Sequence, residues 1–254
     1  MLDRTKIGSL AVILAEARRS GRSLPELTVE FAGLEPGDAD AVQEATLALL
    51  GEVVGGYKVF QVAANPGHLG LIPASRIFAA PVSLAVPPEG RRIELEIAFR
   101  FERDLPGRRD GRRYGADEVA EAVGGAFAAF ELLENRLPSD PKPSPIAARA
   151  DAMGNWGLVR AEPVADWRRL VRADVPVRLM IGDRCEIDQC GEHPSGDPFH
   201  PLVWLANALA DRGRGLRAGE VVTTGAFGGA RLLKAGETAV GSIAGLPSIC
   251  VRAE

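Results

Sequence analysis

Two glutamates stand one residue apart in an otherwise apolar run, Ile93-Glu94-Leu95-Glu96-Ile97-Ala98-Phe99, and no other feature of the 254 residues constrains the fold as tightly. The run reads as a strand, and residues i and i+2 of a strand project from one face. A sheet holding it therefore carries two neighbouring carboxylates on one side. That face is either open to water, as on an ordinary half-buried strand, or closed around something cationic that offsets two like charges. A hard divalent ion suits the second case, because Mg2+ takes one or two carboxylates, keeps waters and leaves positions open for a substrate.

Two more ionisable residues sit in apolar surroundings. Lys58 follows Gly55-Gly56-Tyr57 and precedes Val59-Phe60, in a predicted strand over Tyr57–Val62. Such a lysine either snorkels to water or is held inside, where burial lowers its pKa towards the range useful for proton exchange. Glu131 ends the apolar stretch Ala128-Ala129-Phe130, where a buried, unpaired acid is costly. Glu134 and Arg136 nearby read as a surface ion pair worth little; if Glu131 meets Glu94 and Glu96, the three carboxylates form a site for a hard metal.

The pattern along the chain predicts an α+β protein. A helix over Asp3–Gly21 follows from Ile7, Leu10, Ala11, Leu14 and Ala17, and a second opens at Asp38 and stops at Gly55-Gly56. Pro66-Gly67 reads as a turn. Short strands follow over Arg76–Leu84, Arg92–Arg100, Gly157–Val159, Val175–Ile181 and Glu220–Thr224, interrupted by helices over Ala116–Phe130 and Pro201–Asp211. This places a small helical N-terminal region, residues 1–75, on a larger β-rich catalytic domain, residues 76–254. The chain is 46% hydrophobic with a net charge of -4, which leaves no basic footprint for nucleic acid. No apolar run approaches the roughly 20 residues that span a bilayer. Three cysteines and no secretory signal fit reduced thiols, so the expected compartment is the cytoplasm.

In order and spacing, the chain resembles the fumarylacetoacetate hydrolase superfamily, in its 2-keto-4-pentenoate hydratase and 4-oxalocrotonate decarboxylase branch. The likeness covers nearly the whole chain. It runs through Asp40-Ala41-Val42-Gln43, Gly56-Tyr57-Lys58-Val59, the Glu94/Glu96 strand, Asp104-Leu105-Pro106 and Phe130-Glu131-Leu132-Leu133-Glu134-Asn135-Arg136. It closes with Trp204–Ala210, Leu216-Arg217-Ala218-Gly219-Glu220 and Thr223-Thr224-Gly225. The resemblance implies a mixed β-sandwich or roll carrying the N-terminal helices, and a homo-oligomer. It also implies Mg2+ or Mn2+ held by Glu94, Glu96 and Glu131, with Lys58 as the proton-transfer group. The implied reaction is hydration of a 2-hydroxydienoate or 2-keto-enoate in aromatic-compound catabolism. Decarboxylation of a 4-oxalocrotonate-like diacid shares the site, and a non-catalytic metal-binding homologue is the remaining alternative. Hydrolysis of a carbon–carbon bond in an acylpyruvate ranks lower, since none of His68, His193 and His200 falls in a motif for activating water. The sequence departs from the family pattern at Phe60, Ser75 and Ala152. There Phe60 is expected to narrow the cavity and Arg76 to meet a second carboxylate.

Three further patterns carry less weight. Cys185, Cys190, His193 and His200 have zinc-ligand chemistry but a loose spacing. Thr224–Gly229 lacks the lysine-serine end of a phosphate loop and reads as a strand-end turn lining the pocket. The basic stretch Gly107–Arg113 reads as a solvated loop.

Overall fold

The computed structural model describes residues 4–27, 31–62, 67–108, 110–172 and 174–254. In chain order these form α1 (Arg4–Ser20), α2 (Pro36–Leu50), β1 (Val54–Phe60), β2 (His68–Pro73), β3 (Ile77–Ala79), β4 (Val82–Leu84) and β5 (Arg91–Phe101). Next come α3 (Ala116–Ala122), β6 (Val123–Leu133), α4 (Pro145–Ala150), β7 (Asn155–Arg160), α5 (Trp167–Leu170), β8 (Pro176–Ile181) and β9 (Arg184–Cys190). The chain closes with α6 (His200–Ala210), β10 (Val221–Leu233), β11 (Thr238–Ile243) and β12 (Ile249–Ala253). The expected ends of the first helix at Asp3 and of the turn at Pro66 lie outside the described residues, as does Arg109 of the basic loop.

The α+β expectation holds. Seven strands form a mixed sheet in the order β2-β1-β10-β5-β6-β7-β3, and five form a second in the order β4-β12-β11-β8-β9. The sheets meet through the face of β5 and β6 opposite the glutamates. A Cβ added to Gly241 of β11 would fall 2.7 Å from Leu95 Cδ1 and 2.9 Å from Phe130 Cζ, so only glycine lets the layers approach this closely. A second apolar cluster joins α1, α2 and α4 through Leu10, Leu14, Val42, Leu137 and Ala147. Polar contacts fix these helices to the large sheet. Gln43 of α2 donates to Leu69 O and accepts from Leu71 N of β2, and Arg149 of α4 forms a two-pronged pair with Asp40 at 2.6 and 2.9 Å.

Several expectations change. The stretch Ala116–Phe130 is helical only to Ala122, and from Val123 it is strand β6. A strand buried on both faces loses its alternation, and its small apolar residues then mimic a helix. Arg76–Leu84 is not one strand: Ala74–Arg76 form a 3-10 turn, β3 joins the large sheet, and β4 joins the small one. The second helix starts at Pro36 and stops at Leu50, where Gly51 takes φ 71°. Asp38, expected to open the helix, sits at its third position and accepts from Glu35 N at 3.1 Å. Thr224–Gly229 lies inside the long strand β10, whose register against β5 shifts between Thr223 and Ala226 and again between Phe227 and Arg231. Helix α4 was not anticipated, although Ser144 caps it and Pro145 opens it.

Behind the large sheet, Ala152, Met153 and Gly154 take φ values of 51°, 51° and 73° in succession, a conformation that non-glycine residues adopt at a cost. Arg136, 1% exposed, holds this turn at both ends. Its Nε donates to Asp151 Oδ1 at 2.6 Å, Nη2 to Asp151 O at 2.8 Å and Nη1 to Asn155 O at 3.0 Å. The sequence reading placed Arg136 at the surface with Glu134; instead Glu134 pairs with Arg91 and Arg136 is interior. Removing one partner of a buried pair strands the other charge. Arg136→Met is therefore expected to cost about 3–5 kcal/mol, measured by urea unfolding; a loss below about 1 kcal/mol would show that Asp151 does not depend on it.

Candidate active site

Strand register assembles the acidic group. Glu94 on β5 lies directly opposite Glu131 on the antiparallel strand β6, so the two side chains share a face, and Glu96 joins them two residues along. One carboxylate oxygen from each can be chosen so that all three lie within 4.8 Å of one another, and they form the one such metal-capable cluster among the described residues. Glu131 and Glu96 are buried and Glu94 is half-buried. The same face extends across the sheet. Thr223 of β10 lies opposite Ala98 of β5, and Lys58 of β1 lies beside Thr223 and opposite Gly70 of β2. A Cβ on Gly70 would stand 2.9 Å from Lys58 Cγ, so the glycine clears the path of the lysine stem.

Two of the three acids, Glu131 and Glu96, are held by hydrogen-bonding groups, each by different ones. Lys58 Nζ meets Glu131 Oε1 at 2.8 Å and donates to Met153 O at 3.3 Å, a carbonyl supplied by the left-handed turn. Asn155 Nδ2 donates to the same Oε1 at 2.8 Å, while Glu131 Oε2 is buried without a hydrogen-bond partner. Glu96 Oε2 accepts from Gly225 N at 2.8 Å, a donor freed by the register shift in β10. Gly225 has φ 120°, and a Cβ there would meet Pro194 Cγ at 2.6 Å.

Burial raises the pKa of Glu94, opposed by Lys58 and aided by repulsion from Glu131. Burial, then Glu131 and Glu94, push Glu96 well above 4.5. Burial also acts to lower the pKa of Lys58, but Glu131, Glu94 and Glu96 together outweigh it and leave the ammonium above its ordinary value. The direction expected for a lysine buried alone is thus reversed by its neighbours. The donors present fit a hard cation: three carboxylates converge, one buried oxygen lacks a partner, and the acids resist ionising together unless positive charge is added.

Other singled-out residues fall elsewhere. Cys185 and Cys190 are exposed on β9. His193 is buried against Phe227, held neutral with a pKa lowered to about 4 by burial. Its Nδ1 accepts from Ser195 N at 3.3 Å and its Nε2 lies 3.4 Å from Thr224 Oγ1, which donates to Ile97 O. Arg76 lies over the Trp156 ring at 4.2 Å, and Ser75 bonds Glu52 at the surface, so neither adds a cation to the site. Phe60, 44% exposed, borders a cavity of about 950 Å³ rather than closing it. Sequence reasoning missed Asn155 and undervalued Gly225. The available signals were an amide opening the strand next to Glu131, and a glycine after two threonines.

No protein-family model matches the chain. It is 28% identical to 2-keto-4-pentenoate hydratase of Burkholderia vietnamiensis, over 98% of each chain, and 27% identical to the enzyme of that name from Paraburkholderia phymatum, again over 98% of each. Its fold matches the structure of 4-oxalocrotonate decarboxylase from Pseudomonas putida G7, complexed with magnesium and adipate. The TM-score is 0.86 over 100% of this chain and 99% of that one, at 19% identity. The likeness read from the sequence therefore stands, in fold and along the full length.

The raised acid pKa values carry a sign. The folded, metal-free chain retains protons that the unfolded chain releases above pH 4.5, so stability falls as pH rises from there. Glu96→Gln keeps an acceptor for Gly225 N and removes a charge. The metal-free variant is expected to melt roughly 2–4 °C above the parent at about pH 8, the shift for about 1 kcal/mol at this length. The gain should shrink as the pH falls and the parent carboxyl takes up its proton. Scanning calorimetry showing a lower melting temperature at the higher pH would refute the repulsion.

Proposed function

We propose that this chain is a divalent-metal-dependent lyase that adds water to a 2-hydroxydienoate or its 2-keto-enoate form, in aromatic-compound catabolism. One observation carries the reading: Glu131, clustered with Glu94 and Glu96 within 4.8 Å through one ligand oxygen each, keeps one buried oxygen unpartnered while its other oxygen is pinned by Lys58 and Asn155. Full-length similarity to proteins named hydratases supports the reaction class. Glu94, Glu96 and Glu131 would hold Mg2+ or Mn2+. Such an ion, when bound, supplies Lewis-acid stabilisation of negative charge on the 2-oxygen of the substrate.

The chain's own groups divide the remaining work. From the 2-hydroxydienoate, ketonisation first releases the 2-hydroxyl proton and protonates C5, giving the 2-keto-enoate; water then adds across C3=C4, placing its hydroxyl at C4 and a proton on C3. Lys58, protonated and held between Glu131 and the Met153 carbonyl, is the acid placed to deliver that proton. Asn155 and the Gly225 amide keep Glu131 and Glu96 pointed at one locus. Hydrolysis of a carbon–carbon bond finds no base in His193, whose ring nitrogens face Ser195 N and Thr224. A homo-oligomeric state and a cytoplasmic location are carried forward as part of the same proposal.

Oxalate, a compact mimic of the 2-keto enolate, is the first probe. Calorimetric titration is expected to detect binding to Mg2+-loaded protein and none to stripped protein; no binding to either would remove the centre. Glu96→Ala should abolish metal-dependent turnover of a dienoate while the fold survives. Lys58→Met should keep metal-dependent oxalate binding and lower kcat by roughly 10²–10⁴, the span of general acid–base catalysis. Normal turnover in the Lys58→Met enzyme would take the lysine out of the mechanism.

A further inference from the structure

A cavity of about 950 Å³ is lined by Phe60, His68 and Met153, each tied to Lys58 by register or by a hydrogen bond. Phe60 follows Lys58 by two residues on β1, and His68 of β2 pairs with Phe60, so both share the face of Lys58 and Gly70. The opposite wall comes from the segment that also makes the Lys58 contact. Met153 and Gly154 line the cavity, and the Met153 carbonyl is the one that accepts from Lys58. A ligand whose carboxylate end sits at Glu94, Glu96 and Glu131 and whose chain passes Lys58 therefore enters this space next.

The wall chemistry narrows what fits. Phe60, Leu137, Pro145, Ile146 and Met153 make it mainly apolar, and its volume is at the upper end of the range for small-molecule pockets. Its ionisable members do not favour a second acid. Lys142 is exposed at the rim, His68 is kept neutral by burial and by Arg149, and Asp151 is a carboxylate committed to Arg136. We propose that this cavity receives the far end of the substrate, and that the chain acts on 2-hydroxydienoates with an alkyl or aryl substituent on the terminal carbon in preference to unsubstituted or dicarboxylic ones. The inference rests on the hydratase reading and adds the substrate's distal group and the residues that select it.

The test is a series of 2-hydroxydienoates bearing hydrogen, methyl, propyl, phenyl or carboxylate at the terminal carbon, assayed with the Mg2+-loaded full chain. The expected result is a rise in kcat/KM of about 10-fold or more from hydrogen to propyl or phenyl, on the scale of a few methylenes in an apolar pocket, with the carboxylate lowest. Ala148→Trp, which fills the cavity from α4, should lower the phenyl-to-hydrogen ratio at least about 10-fold. Phe60→Asp, at a position 44% exposed, should lower the same ratio. Equal or faster turnover of the unsubstituted compound, or ratios unmoved in both variants, would overturn the inference and leave the hydratase reading intact. Turnover of no dienoate by protein that binds oxalate with Mg2+ would overturn both.

Discussion

Three carboxylates facing one another on a buried sheet face are the constraint around which the site is arranged. At interior separations like charges repel strongly, and burial adds to the cost of ionising each. What the fold supplies is partial compensation: one ammonium, one carboxamide and one peptide N–H, from Lys58, Asn155 and Gly225. Those three donors leave the cluster only partly satisfied, as the bare Glu131 Oε2 shows. Three carboxylates compensated by a single ammonium attract further positive charge.

That arrangement explains backbone features that a fold alone would not require. Ala152 and Met153, left-handed after Asp151, store strain, and the Arg136 bonds to Asp151 and Asn155 hold the turn in place. The turn delivers two useful groups within three residues, the Met153 carbonyl to Lys58 and the Asn155 amide to Glu131. On the other flank, the slip of β10 against β5 turns the Gly225 N–H out of the ladder and towards Glu96. Thr224, bonded to Ile97 O and close to His193, pins that slip, and Ser195 ties the histidine's loop to Gln61 at the end of the Lys58 strand. Irregular backbone sits on both sides of the acids, where it aims polar groups at them.

How far this could be read from residues alone depended on range. Glu94 and Glu96 were legible because their relation is local, fixed by the two-residue period of a strand. Lys58 stood out as a charge in an apolar strand. Glu131 needed the β5–β6 register, which no local pattern gives, and its strand was itself obscured: Val123-Gly124-Gly125-Ala126-Phe127-Ala128-Ala129-Phe130 is buried on both faces and shows no alternation. Asn155 was missed and Gly225 undervalued for a different reason. Their roles rest on a backbone carried into unusual geometry by distant partners, Arg136 for one and the slipped β10 pairing for the other. The same holds for Arg136, whose sequence neighbours suggested a surface pair while its real partner lies 15 residues on.

The energetics also bear on whether the cluster could be a remnant without work to do. A buried ion pair is rarely worth more than well-packed apolar residues of the same volume, and a buried group with excess charge is worth less. Here three acids share one lysine, so leucine or methionine at Glu94 or Glu96 would relieve repulsion without loss of a structural partner, since Glu96 meets only a peptide N–H and Glu131 alone holds the lysine. Even the strand would be served, because its other face already packs Leu95 and Phe130 on the second sheet. The arrangement is thus costly to the empty fold and favourable only with a cation in place. The chain retains, together with it, a lysine turned inward past a glycine and a strained turn braced by a buried arginine. The lysine and the turn converge on Glu131: Lys58 Nζ meets its Oε1, and the turn supplies the Met153 carbonyl to that lysine and leads into Asn155, which donates to the same oxygen.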